Sequence, residues 1–274
     1  MAIGLALLVW ILGKPLLVRW RRRRQSVTPF PSEWRQILEQ EMPLYRRLPV
    51  NLQRQLQACI QIFLREKRFV GCQGFTITET VRLLIAAQAC LLVLNRPAGL
   101  FDSLTEILVY PDEFLVDRDE QDEAGVVSRH ANVLSGESWA DSQVVLSWAD
   151  VLEGARDDRD GYNVVIHEFA HQLDQRTGAS IGAPQPIDAR QANRWSQVLE
   201  AEFARLRTDL DAGFETLLDE YGAEDPVEFF AVASETFFER PERLHRDHPE
   251  LYQVLRDYYC VDPLSWQAGE DAHE

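Results

Sequence analysis

The sequence has 274 residues, of which 46% are hydrophobic, so it has ample apolar content for one large or two small domains and is not wholly disordered. The formal net charge at pH 7 is −16, but residues 1–24 contain six basic residues and no acidic one, which leaves 22 bases against 44 acids in the rest. Because a region that acidic would be repelled by nucleic acid, the composition argues against nucleic-acid binding.

The first 18 residues are apolar except for Lys14, and five of the next six residues are arginine. As a helix, this segment would be about 27 Å long, close to the hydrocarbon thickness of a bilayer. Since the arginines follow the apolar run, their order favours a retained anchor over a cleaved signal peptide. We therefore predict one transmembrane helix in the inner (plasma) membrane, with everything after it in the cytoplasm. The Lys14-Pro15 pair leaves a helix lying in the membrane interface as the alternative.

The N-terminal part of the body is predicted to be helical. Between residues 32 and 67, apolar residues recur at helical spacing with two prolines as breaks, and residues 78–94 form a strongly helical segment. The apolar centre of that segment is too short to span a bilayer, which indicates a buried helix. Two glycines indicate a turn within residues 69–75.

Short β-type runs come next. Strands are predicted at residues 105–110, 113–116, 125–127 and 144–148, with the acid-rich segment 117–123 and the segment 135–139 as loops. Further helices are predicted at residues 189–210, from Pro226 to about residue 240, and at about 249–259. This order predicts an α+β fold, mainly helical, with a small mixed β-sheet between a helical N-terminal part and a helical C-terminal half.

Composition changes along the chain predict its domain boundaries. The predicted units are an anchor with a basic stop at 1–24, a linker at 25–31, one domain at 32–265 and a polar tail at 266–274; within the domain, 32–97 is helical and 98–265 holds the sheet and the later helices. The four cysteines follow no metal-binding spacing. We predict reduced thiols, although their even number leaves disulfides open.

Residues 167–171 have the sequence HEFAH in a segment without glycine or proline, which predicts a helix. At about 100° per residue, His167 and His171 share one face, and Glu168 lies about 60° from His171. Two neutral imidazoles beside a carboxylate that reaches a water are what a catalytic zinc site needs. Asp174 returns to the same face and is a candidate to accept a proton from the far nitrogen of a ligating imidazole. The alternative is an amphipathic helix with two hydrogen-bonded histidines and a solvated Asp174.

A catalytic zinc site needs a third protein ligand, and the best candidates are Glu228 and Glu235. Their spacing of seven residues puts both on one face of a phenylalanine-rich helix, where a buried carboxylate needs a partner. Because they are about 10 Å apart along the axis, only one can bind the metal while the other orients a histidine or pairs with a base. Glu228 also holds the position of a capping-box glutamate, and spacing alone does not decide its role. His245 and His248 form a less favourable H-x-x-H pair.

Several segments together carry a resemblance to a known family. They are HEFAHQLD from residue 167, YGAEDPVEFFAVASETFF from residue 221 and DPLSW from residue 262, with Gly74-Phe75, Tyr110-Pro111 and SGESW upstream. Over about residues 30–265 the sequence resembles the Mlc titration factor A (MtfA) family of zinc peptidases. The resemblance implies a gluzincin-like member of the zincin folds, related to the catalytic domain of anthrax lethal factor.

The resemblance also implies a site and a reaction. It assigns one zinc ion per chain to His167, His171 and Glu228. The implied enzyme is a zinc-dependent metallopeptidase that hydrolyses peptide bonds through a zinc-activated water, with Glu168 as general base. Tyr221 is singled out as a hydrogen-bond donor to the substrate oxyanion, whereas without the resemblance it would be taken as an ordinary packing aromatic.

The partners implied by the resemblance are a peptide or protein substrate and a transcriptional repressor. Family members are described as acting on short peptides and as binding the sugar-regulon repressor Mlc. The apolar, arginine-terminated start departs from the soluble members. The alternative function is therefore a membrane-tethered protein that sequesters an Mlc-like repressor, with incidental peptidase activity. Glu168 favours the enzyme, because a structural zinc site has no use for a base beside an open position.

Overall fold

The computed structural model describes residues 29–95, 101–112, 114–121, 127–134, 136–139, 142–175 and 189–267. The predicted transmembrane segment, residues 1–24, lies outside this part of the chain. Within the described residues, no helix combines the length and the apolar content needed to cross a membrane.

The elements follow the predicted order of helices, strands and helices. The described helices are α1 (Ser32–Glu41), α2 (Pro43–Arg47), α3 (Val50–Glu66), α4 (Glu79–Leu91), α5 (Trp148–Arg156), α6 (Val164–Gln175), α7 (Ala189–Asp211), a 3₁₀ helix (Glu220–Ala223), α8 (Pro226–Glu239), α9 (Pro241–Asp247), α10 (Pro249–Tyr259) and α11 (Leu264–Gln267). The described strands are β1 (Arg68–Gly71), β2 (Glu106–Tyr110), β3 (Phe114–Gln121), β4 (Val127–Leu134), β5 (Gly136–Trp139) and β6 (Gln143–Ser147).

The strands form one small mixed sheet and one hairpin. The sheet has the order β1-β2-β6-β5, in which β1, β2 and β6 are parallel and β5 runs antiparallel to β6 at the edge. Strands β3 and β4 pair with each other in an antiparallel ladder of eight residue pairs. A mainly helical chain with a small mixed sheet agrees with the predicted α+β fold.

Two of the loop predictions were wrong. The acid-rich segment after residue 116 continues as strand β3 to Gln121, because its backbone is paired along the whole of β4. Residues 136–139 form the edge strand β5 instead of a loop. The turn predicted within residues 69–75 is present, with Phe75 N donating to Cys72 O at 2.9 Å and Gly74 at φ 79°, but strand β1 precedes it and pairs with β2. In both wrong predictions, backbone pairing with the next strand in the chain outweighs local composition.

Helix α4 lies at the centre of the core and packs against α1, α3, α5 and α6. Thr78 caps α4 by accepting from Val81 N at 3.3 Å, and ten of the thirteen helical residues are buried. Below it, Phe63, Phe101 and Phe169 pack edge to face or tilted, with ring centroids 4.8 to 6.3 Å apart. Helix α6 is therefore held between α4 and α8, which fixes the face that carries the HEFAH motif. All four cysteines are free thiols, as predicted.

Candidate metal centre

The HEFAH segment lies in α6, and Asn163 fixes the start of this helix. The side-chain Oδ1 of Asn163 accepts from Ile166 N at 3.0 Å, and its carbonyl accepts from His167 N at 2.9 Å. Val165 and Phe169 are fully buried against the core. The opposite face therefore carries both histidines of the motif, whose ring centroids are 4.8 Å apart with planes at 84°.

Helix α8 brings Glu228 to these histidines. Asp225 caps the helix, with its Oδ1 accepting from Val227 N at 2.7 Å and from Glu228 N at 3.0 Å, and Pro226 follows in the first helical position. Every residue from Phe229 to Glu239 is buried, and α8 packs closely on α6. The first turn of α8 is thereby held against the histidine face of α6.

One carboxylate oxygen and two ring nitrogens converge at this contact. Glu228 Oε2 lies 3.0 Å from His167 Nε2 and 3.3 Å from His171 Nε2. The candidate ligand atoms of the three residues lie within 4.8 Å of one another, and they are the only such group found among the described residues. Two imidazoles and one carboxylate form a donor set that suits a catalytic zinc ion, so the residues fit a metal. The Glu228 carboxylate has the position required of a ligand.

Glu235 supports the same imidazole from the other side. Its Oε1 lies 2.7 Å from His167 Nδ1, and its Oε2 accepts from Asn163 N at 2.5 Å. The Glu235 side chain is 3% exposed. A carboxylate on Nδ1 fixes the tautomer and the orientation of the ring, so that Nε2 is the nitrogen directed at a metal. Glu235, one of the two glutamates considered for this role from the sequence, is placed by the structure at Nδ1 of His167.

Asp174 is not placed as the sequence analysis expected. Asp174 is fully buried on α6. It binds neither imidazole, because His171 Nδ1 makes no hydrogen bond within the described residues and His167 Nδ1 is already held by Glu235. The helical spacing put Asp174 near the histidine face, yet the partner of each ring nitrogen is chosen by what packs across from α6. For His167, that neighbour is α8.

The charges at the site shift the pKa values of its residues in opposite directions. Burial alone would lower the pKa of His167, but the carboxylates of Glu235, Glu228 and Glu168 together raise it well above its usual value. Burial would raise the pKa of Glu228, but hydrogen bonds from His167 and His171 lower it far below its usual range. Without metal, the carboxylates around His167 therefore favour its protonated form.

Burial dominates for the supporting carboxylate. It raises the pKa of Glu235, and the neighbouring His167 and the N–H of Asn163 only partly offset the effect. A buried carboxylate of this kind is stabilised by its contact with a cationic or metal-bound imidazole.

Glu168 and Tyr221 flank the cluster. Glu168 is 4% exposed, and its side chain lines the same cavity as His167. Tyr221 lies in the 3₁₀ helix, which is capped by Asp219 Oδ1 accepting from Tyr221 N at 2.9 Å, and its ring centroid is 5.7 Å from that of His167. Burial and then the adjacent carboxylates, Glu228 first, raise the pKa of Tyr221 above its usual value. Its phenol therefore stays protonated and remains a hydrogen-bond donor.

The second histidine pair lies outside the group of candidate ligands, although His248 lines the cavity that His167 also lines. His248 Nδ1 lies 2.6 Å from Glu202 Oε2, and the ring of His245 packs edge-on against Tyr252. Neither is in the group of candidate ligands. These histidines have protein partners of their own, in keeping with their lower rank as ligands in the sequence analysis.

The sequence analysis missed two residues beneath the site, Asn163 and Glu239. The Nδ2 of Asn163 donates to Gln88 Oε1 at 2.9 Å, to Gly154 O at 3.0 Å and to Glu239 Oε1 at 3.0 Å. Glu239 Oε2 accepts from Gly161 N at 3.0 Å. Asn163 thus joins the start of α6 to the end of α8. The available signal was its place four residues before the first motif histidine, where helix caps are expected.

A cavity of about 900 Å³ opens beside the cluster. His167, Glu168, Tyr221 and Glu235 contribute to its wall, together with residues from α7 and from the loop that follows α7. Of the candidate ligands, His167 is the one that lines this cavity, which is large enough to hold part of a short peptide.

Comparison with known proteins identifies the family. The family described as "Glucose-regulated metallo-peptidase M90" matches residues 17–260. The Mlc titration factor A proteins of Yersinia enterocolitica and Serratia proteamaculans are 34% and 35% identical over 252 residues, which cover 91% of this chain and 93% and 95% of theirs. The uncharacterized protein slr2042 of Synechocystis sp. is 40% identical over 265 residues, 96% of each chain. These matches confirm the resemblance, and the chain belongs to the glucose-regulated metallo-peptidase M90 family.

Proposed function

We propose that this metallopeptidase hydrolyses peptide bonds with one zinc ion held by His167, His171 and Glu228. The observation that carries the proposal is the convergence of two imidazole Nε2 atoms and one carboxylate oxygen beside an open cavity. Nitrogen and oxygen donors in a set of three, with a fourth corner open, are typical of catalytic zinc. When bound, zinc would supply Lewis acidity that polarises water and a substrate carbonyl.

The side chains around the cluster have separate roles in this proposal. Glu168 accepts the proton of the attacking water and passes it to the leaving amine, which requires a carboxylate beside the cavity. The phenol of Tyr221, kept protonated by burial and by the nearby carboxylates, donates to the oxyanion that develops on the substrate carbonyl. Glu235 keeps His167 turned so that its Nε2 remains directed at the ion.

The test of this function is cleavage of a peptide library by the purified full-length chain. Hydrolysis is expected with zinc bound, should stop when a chelator removes the metal, and should return when zinc is added back. Elemental analysis should find one zinc per chain. Absence of stoichiometric zinc after resupply, or hydrolysis that persists without metal, would refute the proposal.

Relatives named Mlc titration factor A favour a second function, binding of an Mlc-like transcriptional repressor. We propose this interaction as a property separate from hydrolysis. Co-purification of such a repressor with full-length wild-type protein and with the Glu168→Gln variant tests it. Equal binding by both proteins is expected, and no binding by either would exclude this partner.

The apolar, arginine-terminated start of the chain supports a further proposal on location. Residues 1–24 anchor the protein in the inner membrane, with the peptidase domain in the cytoplasm. Alkaline carbonate should leave the protein in the membrane pellet, and a reporter fused after residue 274 should be active only in the cytoplasm. Release by carbonate, or reporter activity outside the cytoplasm, would contradict the spanning anchor.

A further inference from the structure

Large apolar side chains are exposed beside the candidate metal site. Within the described part of the chain, the exposed large apolar residues are Val50, Tyr162, Phe214 and Tyr221, with exposed fractions of 62%, 42%, 65% and 41%. Three of these four line the 900 Å³ cavity, and only Val50 lies elsewhere. An exposed apolar patch that is continuous with a polar site is typical of a ligand-binding surface.

The backbone holds Phe214 in a fixed position. Gly213 has a left-handed backbone (φ 77°), and its N–H donates to Leu210 O at 2.9 Å, while Phe214 N donates to Asp209 O at 2.9 Å. These two bonds form a Schellman motif that ends α7. In such motifs the residue at the position of Phe214 commonly packs against the last turn of its helix. Here the corresponding residue on that turn is Asp209, and Phe214 remains the most exposed large apolar side chain of the described residues.

Tyr162 enters the cavity from the segment before α6, which is also well tethered. Its N–H donates to Asp160 Oδ1 at 2.9 Å, and the preceding Gly161, in a left-handed conformation (φ 84°), donates to Glu239 Oε2 at 3.0 Å. Phe214 and Tyr162 are therefore presented on backbones held by hydrogen bonds. A preorganised aromatic loses little conformational entropy on binding a ligand.

The rest of the cavity is apolar below and charged at its rim. Leu206, Leu218 and Val232 are buried side chains that form the floor. At the rim, Arg205 already lies 3.7 Å from carboxylate oxygens of both Glu202 and Asp209. This pairing leaves the charge of Arg205 less available to a ligand than the apolar surface is.

We infer that this cavity binds a large apolar side chain, aromatic above all, of the peptide substrate, and that Phe214 determines this specificity. The inference rests on the proposed peptidase function. Because His167 and Tyr221 also line the cavity, we take its ligand to be a side chain of the peptide substrate. Burial of an aromatic side chain against Phe214, Tyr162 and the apolar floor of the cavity would position the neighbouring peptide bond at the candidate metal site.

The test is a positional series of alanine-rich octapeptides in which a single phenylalanine is moved along the sequence. With the zinc-loaded, full-length protein, one position should show kcat/KM higher than the all-alanine peptide by roughly tenfold or more. The Phe214→Ala variant should lose most of this preference while still hydrolysing the all-alanine peptide. Val50→Ala removes an equally exposed apolar side chain outside the cavity, and it should keep the preference. Because Phe214 is exposed, its truncation should leave the melting temperature near that of the wild type.

A binding measurement separates this inference from the peptidase proposal. Calorimetry with the Glu168→Gln variant on every peptide of the series should show that at least one phenylalanine peptide binds more tightly than the all-alanine peptide, and Phe214→Ala in that background should remove the difference. If the wild type hydrolyses nothing, the peptidase proposal fails while the binding comparison still decides on the cavity. Equal affinity for every peptide of the series, a preference that survives Phe214→Ala, or a change in oligomeric state as the only effect of that substitution would overturn the inference.

Discussion

Two glutamates that lie two turns apart on helix α8 have opposite environments. Near the N-terminus, Glu228, with a side chain 18% exposed, faces the Nε2 atoms of His167 and His171, and its pKa is lowered because hydrogen bonds from the two histidines outweigh burial. Two turns later, Glu235 is buried, faces Nδ1 of His167 and has its pKa raised by burial.

This difference shows how one helix can supply both a metal ligand and its support. The two carboxylates contact opposite nitrogens of the same imidazole, so the ring of His167 is held from both sides. Glu228, at the Nε2 atoms, can bind a metal together with His167 and His171. The carboxylate on the buried side can act only through the ring.

The largest effect is expected from loss of Glu228. Glu228→Gln removes the charged donor from the convergence of three ligands, so the protein should lose zinc and peptide hydrolysis together, down to the level of the chelated wild type. Zinc content and hydrolysis measured on the same preparation check this. If the variant keeps full zinc occupancy and only its melting temperature falls, Glu228 serves as a helix-capping residue and Glu235 becomes the better ligand candidate.

Glu168→Gln should separate chemistry from metal binding. The substitution keeps the size of the side chain and removes the proton acceptor, so hydrolysis should fall by about a hundredfold or more while zinc content stays near one per chain. Steady-state kinetics together with metal analysis is the measurement. Activity near that of the wild type would show that another group takes the proton.

A smaller effect is expected from a substitution at the buried Glu235. Glu235→Gln should weaken zinc affinity by roughly 10- to 100-fold, because the His167 ring loses its charged partner but keeps its Nε2. Activity should be recovered at high zinc concentration, unlike in Glu228→Gln. Competition with a chelator of known affinity gives the number, and an irreversible loss of activity at saturating zinc would contradict the supporting role.

The pH dependence of zinc affinity should report the same contact. Zinc must displace the proton from His167, whose pKa in the metal-free protein lies well above its usual value, so affinity should already fall as the pH is lowered toward about 6.5, the ordinary value for histidine. Glu235→Gln removes the carboxylate that raises this pKa most, so the onset should move to lower pH. Chelator competition at a series of pH values tests both statements, and identical profiles for the two proteins would refute them.

The smallest effect is expected one turn further along α8, at Glu239, which makes no contact with a histidine in the described structure. Burial raises the pKa of Glu239 well above its usual value, so the wild type loses stability as the pH rises from about 4.5 through that raised pKa. Glu239→Gln should remove this loss and leave zinc affinity within about threefold of the wild type, since the His167–Glu235 contact is untouched. Thermal melts from pH 4 to 8 measure the first effect. A drop in zinc affinity like that of Glu235→Gln would contradict the second.

Helical periodicity predicted most of the site, because α6 and α8 are regular helices whose residues hold their angular positions. It placed His167 with His171 and Glu228 with Glu235 on shared faces before any packing was known. It could not choose between the glutamates, since that choice depends on how far α8 is displaced along α6. Periodicity likewise could not show what packs across from α6. Asp174 lies at the expected angle on α6, but the partner of His167 Nδ1 is Glu235 on α8.

The strands were predicted less well than the helices. Strands β2 and β6 are apolar and were found, whereas β1, β5 and most of the β3–β4 hairpin are polar or contain glycine and depend on backbone pairing for their strand structure. Asn163 was missed for a related reason. Its role comes from joining three separate segments through one side chain, and that convergence exists only in the folded chain.

The most direct test of the division of labour on α8 is X-ray diffraction from the zinc-loaded, full-length protein at the zinc absorption edge. One anomalous peak is expected within about 2.0–2.2 Å of His167 Nε2, His171 Nε2 and a Glu228 oxygen, with Glu235 still on His167 Nδ1. A peak coordinated by Glu235 in place of Glu228, or no peak at these histidines after zinc loading, would contradict it.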